Sequence, residues 1–442
     1  MVLYEEDRCV CHYKDNNIPL TFKVFREKRG REMKTVYFLG AGASFATEYK
    51  LPTMGHFFDK FSIIHYPNLG RFLGEFFVPS SFPSTAETML FDSIVQILNS
   101  ENFEMIVSGF ECELQKERES IGFLEIMEKI RQELQSIEDT IRAGDFNLEE
   151  IVTFLDLTVN KFGMLGERRS YLEEAQKELM EYINNRLYHR NKVDELSPSR
   201  KYKILFKNLS RDDSVITLNY DIIIEDTLQL LWKKMSKEEK KKIVGQNYSE
   251  KKHFLLEKLD LILVNQPLWW NRPEWIYYTA DEMDSGVFLK LHGSINWVYC
   301  PNENCRHHFS IFPVDIKELR EKTINFPSCR VCGTVTQPAI VLPTMYKAFE
   351  RFPKLGFVWA LARRELEMAN KIVIIGVSFA ESDYYLRWLL KSALQRFKLN
   401  PNSHRIEVVD KNEKVCDIVK EITGITPKYK GDLDEYISHL EN

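Results

Sequence analysis

Short apolar runs rich in β-branched and aromatic residues alternate along the chain with segments of helical character. The clearest runs are Lys34–Gly40, Ser214–Asp221, Val287–Trp297, Asn370–Phe379 and His404–Asp410. Such runs are typical of strands buried on both faces of a sheet, and their alternation with helices predicts a Rossmann-like parallel sheet with helices on both faces. Ligands of such sheets bind beyond the carboxyl ends of the strands. Function is therefore expected in the polar residues that follow each run.

The stretch between the first two runs has a helical pattern instead. Apolar residues recur at three- and four-residue spacing in residues 123–141, 147–159 and 171–190, which predicts amphipathic helices. Asn147 and Glu150 fit a capping box loosely, since that box prefers serine or threonine at the cap. The heptads are too short for a coiled coil. We interpret the stretch as a large helical insertion that packs on the core.

These patterns divide the chain into four parts. We expect an N-terminal arm, a Rossmann-like core in two pieces, the helical insertion, and a small cysteine-containing lobe within the core. The boundaries are 1–33 for the arm, 34–60 and 200–442 for the core, 61–199 for the insertion and 298–338 for the lobe.

The composition is that of an ordinary soluble globular protein. Of 442 residues, 44% are hydrophobic and 28% charged, and the formal net charge is -5. Without a signal-peptide pattern or a run of about 18 apolar residues, we expect a cytoplasmic protein with no membrane partner. Lysines between Lys233 and Lys258 suggest nucleic-acid binding, but Glu238 and Glu239 among them favour a solvated helix face. Direct nucleic-acid binding is therefore not expected.

Polar residues directly follow the first two strands. The first runs into Gly40-Ala41-Gly42-Ala43-Ser44, where glycine lets the backbone turn tightly and approach a pyrophosphate. This turn alone is weak evidence, because Phe45 replaces the usual third glycine.

The second strand ends in Thr217-Leu218-Asn219-Tyr220-Asp221. Polar side chains directly after an apolar strand are unfavourable unless they find a partner. Asn219 is predicted to contact a ligand. Asp221 either does the same or caps the helix that follows.

Two further strands end in similar groups. His292 precedes Gly293 at the end of an apolar segment, and histidine accepts or donates a proton near neutral pH. Gly376 and Ser378 follow another strand in a small turn suited to phosphate or ribose, and Asp383 is expected to cap the next helix or contact the site.

Four cysteines form two pairs with the spacing of a zinc site. Cys300 and Cys305 are separated by four residues, and Cys329 and Cys332 by two residues in a Cys-x2-Cys-Gly knuckle. Four thiolates suit tetrahedral zinc, and a filled shell leaves no open position, so the zinc is expected to be structural. His307 and His308 are the alternatives to Cys305, and paired free thiols are the alternative to a metal.

The order of these motifs resembles the sirtuin (silent information regulator) family. The forms TLNYD, LHGSINW and GVSFAESD are closest to its divergent sirtuin-like bacterial branch, whose members hydrolyse NAD in antiphage defence. The resemblance covers residues 34–55 and 214–440, and it leaves out residues 1–33 and most of 60–200.

The resemblance implies a role for each motif. Asn219 places the attacking water, Asp221 lies by the nicotinamide ribose, and His292 binds the ribose hydroxyls and acts as a base. The residues that would bind the NAD+ substrate are Gly40, Ala41, Gly42 and Ser44 at the pyrophosphate, Thr217 beside them, Gly376 and Ser378 at the adenosine half, and Asp410 near the adenine ribose.

The function implied is an NAD+ glycohydrolase that depletes cellular NAD as an antiphage effector. Its regulation is expected to come from homo-oligomerisation or from a partner such as a ring-forming ATPase of the HerA type. The alternatives are an NAD-dependent protein deacylase and a non-catalytic module that binds NAD or ADP-ribose. No arginine follows Leu51-Pro52-Thr53, which counts against the deacylase, and the presence of both Asn219 and His292 counts against the module.

Overall fold

The computed structural model describes the larger part of the chain. The described residues are 2–5, 8–11, 20–21, 33–77, 132–143, 147–161, 169–188, 199–227, 288–306, 308, 311–313, 327–342, 347, 352–380, 383–394 and 405–441, apart from positions 64, 133, 134, 137, 208 and 210–212. The lysine-rich stretch between Lys233 and Lys258 lies outside them.

The strands among the described residues form three sheets. They are β1 (Val2–Glu5), β2 (Arg8–Cys11), β3 (Leu20–Thr21), β4 (Thr35–Leu39), β5 (Ser214–Thr217), β6 (Phe288–Lys290), β7 (Gly293–Tyr299), β8 (Ile311–Pro313), β9 (Gln337–Ile340), β10 (Lys371–Ile375), β11 (Arg405–Val409) and β12 (Lys428–Tyr429). The central sheet has six strands, all parallel, in the order β12-β11-β10-β4-β5-β6. Two small antiparallel sheets have the orders β1-β2-β3 and β8-β7-β9.

The helices that have their ends within the described residues are short to medium in length. They are α1 (Ala41–Ala46), α2 (Pro67–Phe77), α3 (Leu148–Asp156), α4 (Arg169–Tyr188), α5 (Arg200–Phe206), α6 (Pro353–Met368), α7 (Tyr384–Leu394), α8 (Val415–Thr423) and α9 (Leu433–Glu441). A 3-10 turn covers Met54–His56, and a π-helical turn, Leu157–Lys161, continues α3. Among the described helices, none is long and apolar enough to cross a membrane.

The central sheet is buried on both faces, as the continuous apolar runs predicted. On β10, Ile372 and Ile374 belong to one hydrophobic core, whereas Val373 and Ile375 belong to the other. The first of these cores contains α6, α7 and α8, and the second contains α2, α3, α4, α5 and α9. Alternate residues of a strand point to opposite faces of its sheet. The predicted Rossmann-like sheet with helices on both faces is therefore confirmed.

The helices predicted in the insertion are present where the structure describes them. Helix α3 lies within the predicted helical segment 147–159. Helix α4 overlaps the predicted segment 171–190, but it begins and ends two residues earlier. Asn147 caps α3, but its side chain accepts a hydrogen bond from the backbone N–H of Glu149 at 3.0 Å rather than from Glu150. Of the segment 123–141, only residues 132, 135, 136 and 138–141 are described, all of them helical.

One strand prediction was wrong. The segment Val287–Trp297 is not a single strand, because the chain leaves the central sheet after β6 and enters an antiparallel sheet as β7. The break is at Gly293, whose φ is +81°, a conformation that favours glycine. A Cβ there would lie 2.0 Å from the carbonyl oxygen of Ala339, so no other residue fits this turn.

The strand order creates a switch point beside β4. From β4 the chain adds β5 and β6 on one side of the sheet, and then β10, β11 and β12 on the other. Loops on the two sides of such a point diverge and leave a crevice at the carboxyl ends of the strands. The site is therefore expected above β4 and β10.

Candidate functional site

The predicted site residues form a row along the carboxyl edge of the central sheet. Asp410 follows β11, Gly376 follows β10, Gly40 follows β4, Asn219 follows β5 and His292 follows β6. Neighbouring strands lie about 4.8 Å apart, so this row of strand ends spans roughly 19 Å. The row is long enough for an extended ligand rather than a compact one.

The glycines at the switch point interlock. The N–H of Gly42 donates to the carbonyl of Gly376 at 3.0 Å. A Cβ on Gly40 would lie 2.4 Å from that same carbonyl, and one on Gly376 would lie 2.2 Å from the nitrogen of Ala43. The glycine residues are therefore required for the close approach of two backbone turns. Because Gly42 already uses its N–H, it does not present that group to a ligand.

Ser44 lies below the turn at the centre of a hydrogen-bond network and is 1% exposed. Its hydroxyl donates to Asp221 Oδ2 at 2.8 Å and accepts from Asn219 Nδ2 at 2.8 Å. Tyr202 lies 3.2 Å away through its own hydroxyl and completes the one donor and two acceptor positions of a serine oxygen. Ser44 therefore faces the protein interior.

The network fixes the orientation of Asn219. Its Nδ2 donates to the carbonyl of Gly40 at 3.0 Å as well as to Ser44, so the amide nitrogen has to face these acceptors. The opposite atom, Oδ1, is consequently turned away from them. The backbone N–H of Asn219 donates to Thr217 Oγ1 at 3.1 Å, which accounts for Thr217 as a residue that orders the turn.

Asp221 has two partners. One carboxylate oxygen accepts from Ser44, and the other accepts from the backbone N–H of Ile223 at 3.0 Å, at the start of a helical segment over residues 223–227. The predicted capping by Asp221 is confirmed. Its carboxylate acts on the site through Ser44 and Asn219.

His292 is buried in surroundings that favour its neutral form. It is 6% exposed, and its Nε2 has no hydrogen-bond partner. Burial lowers the pKa of His292 well below the usual 6.5, and the cation of Lys347 lowers it further, against a hydrogen bond to the backbone carbonyl of Leu218 that raises it. Because Nε2 is unpartnered, that bond belongs to Nδ1, which leaves the lone pair on Nε2.

Aromatic rings flank this imidazole on two sides. The ring centroids of Tyr220 and Trp359 lie 6.2 Å and 6.0 Å from that of His292. Trp359 is anchored by its indole N–H on the carbonyl of Leu291 at 2.9 Å, and the hydroxyl of Tyr220 donates to the carbonyl of Val341 at 2.8 Å. These contacts fix the position of the two rings beside His292.

The residues at the other end of the row are more exposed to solvent than Asn219 and His292. Ser378 is exposed beyond β10. Asp410 is partly buried, its Oδ1 accepts from the N–H of Asn412 at 2.8 Å, and burial raises the pKa of its carboxyl. Asp383 precedes α7, and its carboxylate pairs with Lys347 at 3.3 Å, which places it near His292 rather than free in solvent.

The four predicted zinc ligands come together at the sheet formed by β7, β8 and β9. Their sulfur atoms all lie within 4.8 Å of one another, with Sγ–Sγ distances of 3.5 Å for Cys300–Cys332 and 3.8 Å for Cys305–Cys329. Sulfurs bound to one tetrahedral zinc lie about 3.8 Å apart, so the set fits the metal. His308 does not belong to the group that the described residues form, and His307 lies outside them.

Two of these four thiols, Cys300 and Cys332, differ in acidity. Burial raises the pKa of Cys300 to about 12, whereas a hydrogen bond to Thr334 lowers that of Cys332 to about 6. The knuckle itself is held by Gly333, whose N–H donates to the carbonyl of Cys329 at 2.8 Å and whose φ is +73°. A zinc ion here would join the two cysteine pairs across the lobe.

The sequence patterns missed several residues of this site. Tyr202, Lys347 and Trp359 stand in segments with no motif, and only folding brings them to the row. Lys290 could have been identified from the sequence, because a lysine in the middle of an apolar strand has to find a partner when it is buried.

Comparison with known proteins adds a distant likeness to solved structures. No protein-family model and no curated protein matches the chain. A solved structure described as "Structural Basis for the Mechanism and Regulation of Sir2 Enzymes" matches at 14% identity, over 61% of this chain and 79% of the other, with a TM-score of 0.33. A TM-score this low does not establish a shared fold. Function has to be inferred from the residues along the row of strand ends.

Proposed function

We propose that the protein is an NAD+ glycohydrolase, which cleaves the bond between nicotinamide and ribose and releases nicotinamide and ADP-ribose. The observation that carries the proposal is the state of His292. Its imidazole is buried and neutral, its Nε2 is unpartnered, and its hydrogen bond to Leu218 keeps it against the residue that precedes Asn219. This arrangement provides a base beside an oriented amide.

The chemistry needs few groups from the protein. Nicotinamide leaves as a neutral molecule, because the electron pair of the broken C–N bond returns to its cationic ring nitrogen, so no general acid is required. The ribose carbon develops oxocarbenium character, and water attacks it. Asn219 Oδ1 accepts a hydrogen bond from that water and orients it, and His292 Nε2 accepts the proton that the water or a ribose hydroxyl gives up.

The row of strand ends is proposed to bind the rest of the substrate. The turn at Gly40 and Ala41 would follow the pyrophosphate, Gly376 and Ser378 the adenosine half, and Asp410 the adenine ribose. Ser44 and Asp221 are assigned to positioning, since their polar atoms already have protein partners. Zinc at the four cysteines would stabilise the lobe and take no part in the reaction.

The cellular role is proposed on the resemblance to the sirtuin-like bacterial branch. A cytoplasmic enzyme that consumes NAD+ without a second substrate would deplete the cell and stop phage growth. Such an activity has to be silent until it is triggered. We propose control by homo-oligomerisation or by a partner such as a HerA-type ATPase.

The test is an assay of purified protein with NAD+ that follows nicotinamide and ADP-ribose. Wild type should release both in equal amounts without an acylated peptide, and His292→Ala should release neither. His439→Ala is a matched control, because His439 lies in α9, at the surface, and it should leave the rate unchanged. Release that requires an acetylated peptide would point to a deacylase. Binding of NAD+ without release at any protein concentration would point to a binding module.

A further inference from the structure

Lys290 is a fully buried cation behind the turn that carries Asn219. Its side chain has 0% exposure and forms an ion pair with Glu225 at 2.7 Å. Its ammonium group also donates to the backbone carbonyl of Asp221 and to the hydroxyl of Ser294 at 2.8 Å. Glu225, Asp221 and Ser294 thus offer one close acceptor for each of its three protons, and the carbonyl of Tyr220 lies farther away at 3.4 Å. Such pairing is the condition for burying an ammonium group without a large loss of stability.

The contacts of Lys290 belong to a wider attachment between two segments. The β6–β7 segment binds three backbone carbonyl groups of the turn after β5. His292 binds the carbonyl of Leu218, the N–H of Ile295 donates to that of Tyr220 at 3.0 Å, and Lys290 binds that of Asp221. The Asn219 turn and the His292 segment are thus fastened together by one charged and two neutral donors.

Glu225 makes this attachment depend on charge. Burial raises the pKa of Glu225 to about 7, and the ammonium of Lys290 opposes that rise. Its second oxygen, Oε2, is buried without a hydrogen-bond partner, and Lys290 stabilises the carboxylate more than the backbone hydrogen bond within Glu225 does. Removing the cation would leave Glu225 to be protonated or to draw in water, directly below Asp221.

We propose that Lys290 is a positioning residue of the reaction, which holds the turn with Asn219 against the segment with His292. The proposal rests on the proposed NAD+-cleaving function, because it concerns the spacing between the group that orients water and the base. Misplacing a reacting group by about 1 Å lowers a rate by roughly 100-fold, so a strong anchor between the two segments matters for rate more than for substrate affinity.

A second buried lysine with a similar set of partners provides a control, which separates an effect on positioning from an effect on stability. Lys34 is 8% exposed and pairs with Glu365, which also accepts a hydrogen bond from Ser214. This second lysine–glutamate–serine set lies at the amino end of β4 and β5, the opposite edge of the sheet from the site. Loss of its charge should affect folding in the same way and leave the site intact.

The experiment compares Lys290→Met with Lys34→Met in steady-state NAD+ cleavage and in thermal denaturation. We expect both variants to melt at lower temperature. Lys290→Met should lose about 100-fold in kcat with KM within about threefold of wild type, and Lys34→Met should keep its kcat. A folded Lys290→Met protein with kcat within about threefold of wild type would overturn the inference.

Two additions keep the test decisive. If Lys290→Met does not fold, Ser294→Ala removes only one acceptor of the ammonium group, and a fall in kcat at constant KM is expected in it too. Amide hydrogen exchange needs no activity: residues 218–223 should exchange faster in the Lys290 variant than in wild type and Lys34→Met. Unchanged exchange there refutes positioning, whereas wild type that releases no nicotinamide refutes the proposed function alone.

Discussion

The side-chain amide of Asn219 donates a hydrogen bond to the hydroxyl of Ser44 at 2.8 Å, across 175 positions of sequence. The bond joins the turn after β5 to the helix after β4. It directs Nδ2 toward the interior and therefore Oδ1 away from it. Two motifs that look like separate ligand contacts in the sequence are in fact donor and acceptor to each other.

Replacing Asn219 by aspartate tests the oriented amide. The carboxylate is the same shape, but it places an oxygen against the carbonyl of Gly40, where Nδ2 now donates at 3.0 Å. We expect kcat for NAD+ cleavage to fall by about 100- to 1,000-fold, the usual loss when an oriented group at a reacting centre is removed. Asn370→Asp is the control, since Asn370 uses only its oxygen, toward the N–H of Lys34. Equal rates in the two variants would contradict a role for the amide.

Ser44→Ala tests the network below the turn. It deprives Asp221 and Asn219 of a partner in a buried position, which should lower the free energy of unfolding by about 1–3 kcal/mol. Urea denaturation measures the loss. Ser438→Ala removes a hydroxyl whose bond to Asp434 lies at the surface and should change stability by no more than about 0.5 kcal/mol. A loss of that same small size for Ser44→Ala would mean that the network carries no net stability.

The pH dependence of activity follows from His292. Its pKa lies well below 6.5, so the neutral base form is present at pH 6.5 and is lost only when the pH falls through the lowered value. We expect protonation of His292 itself to lower kcat/KM only below about pH 6.5. Lys347→Met should move this acid limb to higher pH, because the cation of Lys347 disfavours imidazolium. Lys391→Met, at the exposed surface of α7, should leave the limb where it is.

The lowered pKa of His292 also predicts how the stability of the folded protein depends on pH. In the unfolded chain His292 has an ordinary pKa near 6.5, whereas in the folded state the pKa is lower. Protonation is therefore harder in the folded protein, and stability falls as the pH drops below about 6.5. His292→Gln should reduce that fall in chemical denaturation at pH 5 relative to pH 7.5. An unchanged pH dependence of unfolding in the variant would argue against a buried neutral imidazole.

Two glycine-to-alanine substitutions should have opposite effects on the stability of the folded protein. In Gly42→Ala the new Cβ would lie 2.8 Å from the Cα of Gly376, so the two turns have to separate and the unfolding temperature should fall along with NAD+ cleavage. In Gly356→Ala the Cβ meets nothing within 4 Å on helix α6, and stability should rise by up to about 1 kcal/mol. An unchanged unfolding temperature in Gly42→Ala would show that the close contact between the two turns is not needed for stability.

Zinc binding is testable by metal content. Purified protein should hold one zinc per chain by elemental analysis, and Cys329→Ser should lose it and melt at lower temperature. Cys416→Ser is the control, because Cys416 lies in α8 outside the cysteine set. Retention of zinc by Cys329→Ser would contradict the four-thiolate assignment, and metal-free wild type would favour paired free thiols.

Much of the architecture follows from local sequence. The strands β4, β5, β10 and β11 lie inside the predicted apolar runs, because a strand buried on both faces needs an unbroken apolar sequence whatever surrounds it. Helices α3 and α4 follow in the same way from apolar residues at helical spacing. The cysteine spacing also predicted the cluster, since the local geometry of a Cys-x2-Cys-Gly knuckle does not depend on the second cysteine pair.

Other features were decided only by tertiary structure. Strand order, and with it the switch point between β4 and β10, depends on long-range pairing that no local pattern encodes. Gly293 divides a continuous apolar run because the carbonyl of Ala339 lies where a side chain would be. The direction in which Ser44, Asp221 and Lys290 point depends on partners far away in sequence. Local sequence specifies which polar groups end the strands, because each follows directly on an apolar run. Which of these groups turn inward to bind one another, and which stay turned outward, depends on how the strand ends pack together.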